Sequence, residues 1–503
     1  MSSSSGDSTD RQIDSSGVPG LDEILGGGLT PRRLYLIEGV PGSGKTTFAM
    51  QFLLEGARLN EPVLYVTLSE TREELTDTAA SHGWSLEGIA IHEAIPSEAS
   101  LSHEEQYTMF HPSEVELSET TEVILDEVNR LRPRRVVFDS LSELRLLAGS
   151  PLRYRRQILA LKQFFAGRNC TTVLLDDMTS SDRDLQVQSI SHGVILLEQL
   201  NPEYGSDRRR LRVVKYRGRQ FRGGFHDYAI QHGGLIVFPR LVAAEHRTTR
   251  DSTRMPSGIA ELDTLIGGGI ESGTSTLIVG AAGTGKSTLA AQFVAAAAER
   301  GQPSAMFIFD ERVNTLLSRT AGLGIDLQKH VESGLTTIQP VDPAELSPGE
   351  FCHRIRQAID RQHAELLVID SLNGYLNAMP GERNLIIQLH ELLMYLGQKN
   401  VATVLISAHQ GLIGPNMTSV IDASYLADAV VLLRYFEIRG EIRQAISVVK
   451  KRGGKHERTI REFRLSNGRI ELGEPLRNFR GILTGVPVIE PSSFDSSEAK
   501  DRE

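Results

Sequence analysis

Residues 280–288 read GAAGTGKST, and residues 39–47 read GVPGSGKTT. Both fit the phosphate-loop pattern G-x-x-x-x-G-K-[ST], and each lies between an apolar run and a helical pattern, as the motif requires. In such a loop the glycines let backbone N–H groups close around phosphate oxygens, and the start of the helix adds partial positive charge. The spacing assigns Gly39, Gly42, Ser43, Gly44, Lys45, Thr46 and Thr47 to one nucleotide site. It assigns Gly280, Gly283, Thr284, Gly285, Lys286, Ser287 and Thr288 to a second. Lys45 and Lys286 are placed to reach the β and γ phosphates of ATP, and Thr46 and Ser287 to hold Mg²⁺.

The two loops head a duplicated domain. Lys45 and Lys286 are 241 positions apart, and at that offset GVPGLDEILGGGLTPRRLYLIEGVPGSGKTTFAMQF, from Gly17, aligns without gaps with GIAELDTLIGGGIESGTSTLIVGAAGTGKSTLAAQF, from Gly258. Further on, LRVVKYRG around Lys215 repeats as ISVVKKRG around Lys450. A repeat this long is a tandem domain rather than a solenoid unit of 20–50 residues. The polar stretch 243–258 is the expected junction, giving a first domain at 14–245 and a second at 246–485. Residues 1–13 and 486–503, polar and poor in apolar side chains, are expected to be disordered.

Each half alternates strand and helix patterns. In the first, LYLIEG enters the loop and a helix over 45–59 leaves it; VLYVTL (63–68), RVVFDS (135–140) and TTVLLD (171–176) are further buried strands. VILLEQ, RLRVVKYR and GLIVF then follow as strands without intervening helices. Parallel βα units with an antiparallel extension predict an α/β fold: two tandem RecA-like P-loop domains, each a mainly parallel twisted sheet flanked by helices.

A 503-residue chain carries ample core for two such domains. Its net charge of −10 argues against a surface built for bulk nucleic-acid binding. Cys170 and Cys352 suggest neither a disulfide framework nor a metal cluster, which fits a reducing cytoplasm. No apolar run approaches the ~20 residues needed to span a bilayer.

The remaining chemistry is read from strand ends. RRVVFDS and ELLVIDS each end an apolar strand in an acid, so Asp139 and Asp370 are the expected metal-side carboxylates; an Asp capping the next helix would read the same way. Hydrolysis also needs a group that orients or deprotonates water, and VTLSETREE and FIFDERVNT offer Glu70, Asp310 and Glu311. Thr71 and Glu74 also form a capping-box pattern there. Lys215 with Arg217, and Lys450 with Arg452, place two cations on one strand face, suited to a γ-phosphate presented by a neighbouring subunit.

With these residues in hand, the chain resembles the KaiC family of circadian-clock ATPases over nearly all of 14–485. The most specific stretch is VVLLRYFEIRGEIRQAISVVKKRGGKHERTIREF at 430–463, with EIRGE at 437–441. The resemblance implies a double-ring homohexamer with ATP between subunits and regulatory partners of the KaiB type. It implies a first domain whose ATPase drives assembly and a second that is an autokinase and autophosphatase. The two Lys-x-Arg pairs then serve the adjacent protomer's nucleotide. Two departures stand out. The family's paired catalytic acids become Ser69-Glu70 in the first half and Asp310-Glu311 in the second. Its adjacent Ser-Thr phosphorylation site becomes Ser424-Tyr425.

The expected function is ATP hydrolysis in the first half and autophosphorylation on Ser424 in the second. The alternatives are a DNA-handling recombinase or helicase, whose turnover would respond to DNA and salt, and a scaffold whose nucleotide sites set assembly state by linkage.

Overall fold

The computed structural model describes residues 13–94, 112–178, 185–202, 204–245, 253–377, 384–408, 424–466, 468–482 and 488–489. Of the expected disordered ends, 1–13 and 486–503, only Ile13, Val488 and Ile489 are among the described residues. Val488 and Ile489, expected in the structureless tail, pair antiparallel with Phe479 and Arg480.

The chain divides into two compact units between Arg240 and Leu241. The division falls ahead of the polar stretch 243–258 for an apolar reason. Leu241 and Ala243 bury in the second unit's core, and the Ala243 N–H donates to the Glu391 carboxylate at 3.2 Å.

In the first unit the strands are β1 (Leu34–Gly39), β2 (Val63–Thr67), β3 (Ile89–Glu93), β4 (Arg135–Asp139), β5 (Thr171–Asp176), β6 (Gly193–Leu200), β7 (Arg208–Tyr216), β8 (His226–Gln231) and β9 (Gly234–Phe238). They form one sheet in the order β3-β2-β4-β5-β1-β6-β7-β8-β9. The strands from β3 to β6 are parallel, and β7 to β9 extend the sheet antiparallel. β1, β2, β4 and β5 are buried along their whole length. This is why they read as continuous apolar runs: parallel strands covered on both faces do not alternate. One face packs under the P-loop helix Lys45–Arg58 around Phe48 and Phe52. The other packs under Pro151–Ala166 around Ile158 and Phe165.

The second unit opens with a two-stranded pair, β10 (Arg254–Met255) and β11 (Ile270–Glu271). Its main strands are β12 (Ser275–Gly280), β13 (Ser304–Ile308), β14 (Thr336–Pro340), β15 (Leu366–Asp370), β16 (Ala402–Ala408), β17 (Ala429–Ile438), β18 (Glu441–Lys451), β19 (Ile460–Ser466) and β20 (Arg469–Pro475). The order β14-β13-β15-β16-β12-β17-β18-β19-β20 repeats the first sheet strand for strand. The register repeats too: Leu34 sits opposite Thr172, and Ser275 opposite Thr403.

The repeated Leu-Asp of the sequence match has a local job. Asp22 accepts from Ser15 Oγ (2.8 Å) and from the Ser16 N–H (3.0 Å), and Asp263 accepts from the Ser257 N–H (2.7 Å). Each pins the chain entering its domain. In the order β2-β4-β5-β1, the carboxyl ends of four adjacent strands carry Thr67, Asp139, Asp176 and Gly39 to one edge. Ligands in open α/β sheets bind at such ends.

Candidate nucleotide sites

Both loops take the shape the motif requires. Gly44 and Gly285 each lie at φ 92°, in the left-handed region, and serve as helix N-caps without a side-chain cap. A Cβ on Gly44 would come 2.5 Å from Ile230 Cδ1, and one on Gly285 2.9 Å from Phe463 Cε1. The first-turn N–H groups of Lys45–Arg58 and Lys286–Glu299 therefore meet no capping side chain, which suits them to an anion.

In the first unit Lys45 Nζ donates to the carbonyls of Gly39 (2.8 Å) and Val40 (3.1 Å) and forms an ion pair with Asp177 Oδ1 at 2.8 Å. Asp177, just past β5, also accepts from Ser140 Oγ (2.8 Å) and Ser142 Oγ (2.6 Å). Sequence reasoning missed Asp177. The signal was available, since VLLDD ends an apolar strand in acids as RRVVFD does. Thr46 Oγ1 donates to Asp139 Oδ2 at 3.1 Å, and Tyr65 OH donates to the same oxygen at 2.5 Å. Burial pushes the Asp139 carboxyl up, against the two hydrogen bonds, which pull it down. Thr47 packs behind the loop, 3.4 Å from His82 Nε2.

Glu70 follows β2 and immediately precedes the capping box. Thr71 and Glu74 bond reciprocally, with the Thr71 N–H 2.7 Å from Glu74 Oε2. The box fixes the turn, and Glu70 lies within electrostatic range of Asp139, Asp177 and Lys45. Glu70 Oε2 is buried without a hydrogen-bond partner. Desolvation, reinforced by Asp139, pushes its carboxyl up to about 7. A carboxylate poised near neutrality in a phosphate site has the property wanted of a general base.

The second unit keeps the cradle and changes the acids. Lys286 Nζ and Thr284 Oγ1 each donate to the Ala281 carbonyl at 2.8 Å. Burial pushes Asp370 up, while a hydrogen bond from Ser287 pulls the other way. Asp310 Oδ2 accepts from Ser371 Oγ at 2.6 Å. Glu311, the counterpart of Glu70, is held by Arg319, whose third nitrogen donates to Thr288. Asp177 has become Ala408, the residue following Ser407 at the same register.

The Lys-x-Arg pairs lie where β7 and β18 end, each directly after a β-bulge that slips the register by one residue. The bulges turn Val214 and Val449 outward and aim the lysines at the preceding connection. Lys215 Nζ donates to the carbonyls of Gln188 and Ser189, and Arg217 to that of Ser189. Lys450 Nζ donates to the carbonyls of Ser424 and Ala427, both at 2.8 Å. Arg452 donates to the Tyr425 carbonyl at 2.8 Å and approaches Asp428 Oδ1 at 3.4 Å. The cations and the segment that carries Ser424 and Tyr425 are thus joined within one chain, and Tyr425 is exposed.

A hydroxyl beside one deep carboxylate, next to the P-loop lysine, fits Mg²⁺, which uses one or two carboxylates plus phosphate oxygens and water. Among the described residues no group of three or more His, Cys, Asp or Glu side chains forms an all-protein metal cage. None of the described helices is long and apolar enough to cross a membrane.

A family model for the KaiC ATPase matches residues 15–242 and again 255–477. The circadian clock oscillator protein KaiC of Synechococcus elongatus is 30% identical over 481 residues, covering 94% of this chain and 91% of its own. The protein of the same name from Prochlorococcus marinus is 28% identical over 501 residues, 97% of this chain and 98% of its own. Two tandem P-loop units with matching sheets, each matched by the same family, make this chain a member of the KaiC family of ATPases.

Proposed function

We propose that this KaiC-family ATPase hydrolyses ATP in its first domain (14–245) and transfers phosphate to its own Ser424 or Tyr425 in its second (246–485). The reading includes a cytoplasmic homohexamer with nucleotide between subunits and partners of the KaiB type. The observation that carries it is the link between acceptor and cations. Lys450 and Arg452 hold the backbone carbonyls of Ser424 and Tyr425. Cations that reach a neighbour's γ-phosphate therefore bring the acceptor hydroxyl with them.

In the first site Glu70 takes a proton from water as its oxygen bonds to the γ-phosphorus and the bond to the β–γ bridging oxygen breaks. Lys45 and the loop N–H groups hold the charge that moves onto ADP. Thr46 and Asp139 in the first site, and Ser287 and Asp370 in the second, would hold Mg²⁺, which neutralises phosphate charge when bound. In the second site the Ser424 oxygen attacks the γ-phosphorus, its proton passes to Asp310 or Glu311, and ADP leaves. Lys215 with Arg217, and Lys450 with Arg452, act on the adjacent protomer's nucleotide.

Peptide mass spectrometry after incubation with Mg-ATP tests the reading. Phosphate on Ser424 or Tyr425, lost in Ser424→Ala or Tyr425→Phe, is the expected result. Wild-type protein that takes up no phosphate would sink the autokinase half while leaving hydrolysis standing. The scaffold alternative draws on one observation: Arg319 occupies Glu311, so a second site that binds nucleotide mainly to set assembly would look the same.

A further inference from the structure

Away from the P-loops, the two units differ at a place where one is filled with aromatic rings and the other is not. In the first unit Tyr35, His192 and Tyr216 meet edge to face, with centroids 5.7–6.1 Å apart. Both tyrosines are buried. Tyr216 OH accepts from the Thr30 N–H (2.9 Å) and donates to the Gly28 carbonyl (2.8 Å), while Tyr35 OH donates to the Thr30 carbonyl (3.0 Å). The rings plug the space between the glycine loop and the strands β1, β6 and β7.

The duplication identifies their counterparts without ambiguity. Tyr35 aligns with Thr276 at the offset of the P-loops, and Tyr216 with Lys451 at that of the Lys-x-Arg repeat. His192 aligns with Asp428: the His192 N–H donates to the Leu34 carbonyl as the Asp428 N–H does to that of Ser275, both at 2.8 Å. Three rings have become a threonine, an aspartate and a lysine. At this place the second unit has a cavity of about 180 Å³ lined by all three.

Its walls keep the apolar character of a core. Ile278, Leu289, Phe293 and Val448 line it, and they correspond to Ile37, Phe48, Phe52 and Val213 of the first unit. Gly269 and Glu271, counterparts of the Gly28 and Thr30 that bond the tyrosine hydroxyls, line it as well. Lys451 Nζ, which donates to the Ile266 carbonyl at 2.6 Å, stands at the rim. An apolar cavity of roughly 150 Å³ admits a single benzene-sized ring.

We propose that this cavity is a binding site for a small monocyclic phenol. The ring would take the volume that Tyr35 and Tyr216 fill in the first unit. Its hydroxyl would stand between the Lys451 ammonium and the glycine-loop carbonyls, as the Tyr216 hydroxyl stands between Thr30 and Gly28. Arg452, which also lines the cavity, holds the Tyr425 carbonyl, so an occupant bears on the segment that carries Ser424.

The test uses the full chain with Mg-ATP and 4-fluorophenol as probe, followed by ¹⁹F NMR, with 4-fluorotoluene as the comparator lacking a hydroxyl. Wild-type protein is expected to bind 4-fluorophenol saturably and more tightly than 4-fluorotoluene. Lys451→Tyr with Thr276→Tyr restores the first unit's rings and is expected to weaken binding at least ten-fold. Thr276→Tyr alone, a smaller change, is expected to weaken it as well. Retained ATP binding by each variant reports that it folds. If wild-type protein binds no probe at millimolar concentration, or if the refilled variants bind as well as wild type, the proposal is overturned.

Discussion

Arg319 closes on Glu311 with two contacts, Nε to Oε1 at 3.1 Å and Nη2 to Oε2 at 2.8 Å. Its remaining nitrogen donates to Thr288 Oγ1 at 2.6 Å. In the first unit Thr78 stands at the position of Arg319, and Glu70 at that of Glu311. One substitution thus separates a carboxylate held in an arginine fork from a half-buried one whose Oε2 has no hydrogen-bond partner. A carboxylate with both oxygens accepting from a guanidinium has less lone-pair capacity free to meet an attacking water. Arg319→Thr is expected to raise ATP turnover at the second site by about ten-fold. The measurement belongs in a Lys45→Ala background, where the first site is silent. Unchanged or lower turnover would show that the fork is part of the working site.

Glu70 makes the complementary prediction. Its carboxyl is raised to about 7 by desolvation, so it is largely protonated below that pH and free to act as a base above it. First-site turnover, measured with Lys286→Ala, should rise with pH through about 7. Glu70→Gln should lower it by roughly 10²–10⁴-fold and abolish the rise. Stability follows with the opposite sense. A carboxyl whose folded value is raised costs nothing while it is protonated, and the fold loses stability as pH climbs through that value. The melting temperature of Glu70→Gln should therefore gain on wild type as pH rises from 5 to 8. Parallel melting curves would remove Glu70 as the buried acid.

Asp177 engages the lysine that the phosphate-loop pattern reserves for nucleotide. It sits 2.8 Å from Nζ, and two serine hydroxyls stabilise its charge. Together with Lys45 these bonds hold the Asp177 carboxyl below its ordinary value, against the desolvation that raises it. Phosphate must displace this carboxylate or bind beside it. Asp177→Ala, the residue found at Ala408, is expected to tighten ATP binding at the first site by about ten-fold, the scale of one charge-assisted hydrogen bond. Calorimetry in a Lys286→Ala background measures it. Weaker binding would mean that Asp177 helps to hold the lysine in place for phosphate.

The strands and both P-loops were legible because parallel strands buried on two faces write continuous apolar runs, and because the repeat fixed each element twice. Asp139 and Asp370 were legible for the same reason, each ending such a run. What the sequence hid was pairing across elements. Nothing local to FIFDERVNT marks Arg319 as the partner of Glu311, since they meet only once the helix Val313–Ala321 is folded. Ser69-Glu70 shows one acid where the family has two; that Glu70 Oε2 is buried is a property of the packed unit and is not written in VTLSETREE. The exchange of three rings for Thr276, Asp428 and Lys451 was spelled out in the chain, but the cavity it leaves depends on the backbone keeping its place. The division at Leu241 turned on two apolar side chains beside a polar linker.

The last prediction concerns how the first unit is held together. Arg135 is fully buried at the start of β4. Its Nε meets Glu61 Oε2 at 2.6 Å, its Nη1 donates to the carbonyls of Ser15 (2.8 Å) and Phe52 (3.0 Å), and its guanidinium lies 4.9 Å from the Phe52 ring centre. It ties the entering chain, the P-loop helix and β4 together. The second unit uses Leu366 at the corresponding start of β15. Removing one partner of a buried pair costs more than replacing both, because the remaining charge is stranded without compensation. Glu61→Ala should destabilise the first unit by about 3 kcal/mol. Arg135→Leu with Glu61→Ala should recover part of that loss, since an apolar side chain strands no charge. Denaturant melts of the three proteins decide it. A double variant less stable than Glu61→Ala alone would mean that the backbone carbonyls of Ser15 and Phe52, not Glu61, are the partners that Arg135 chiefly serves.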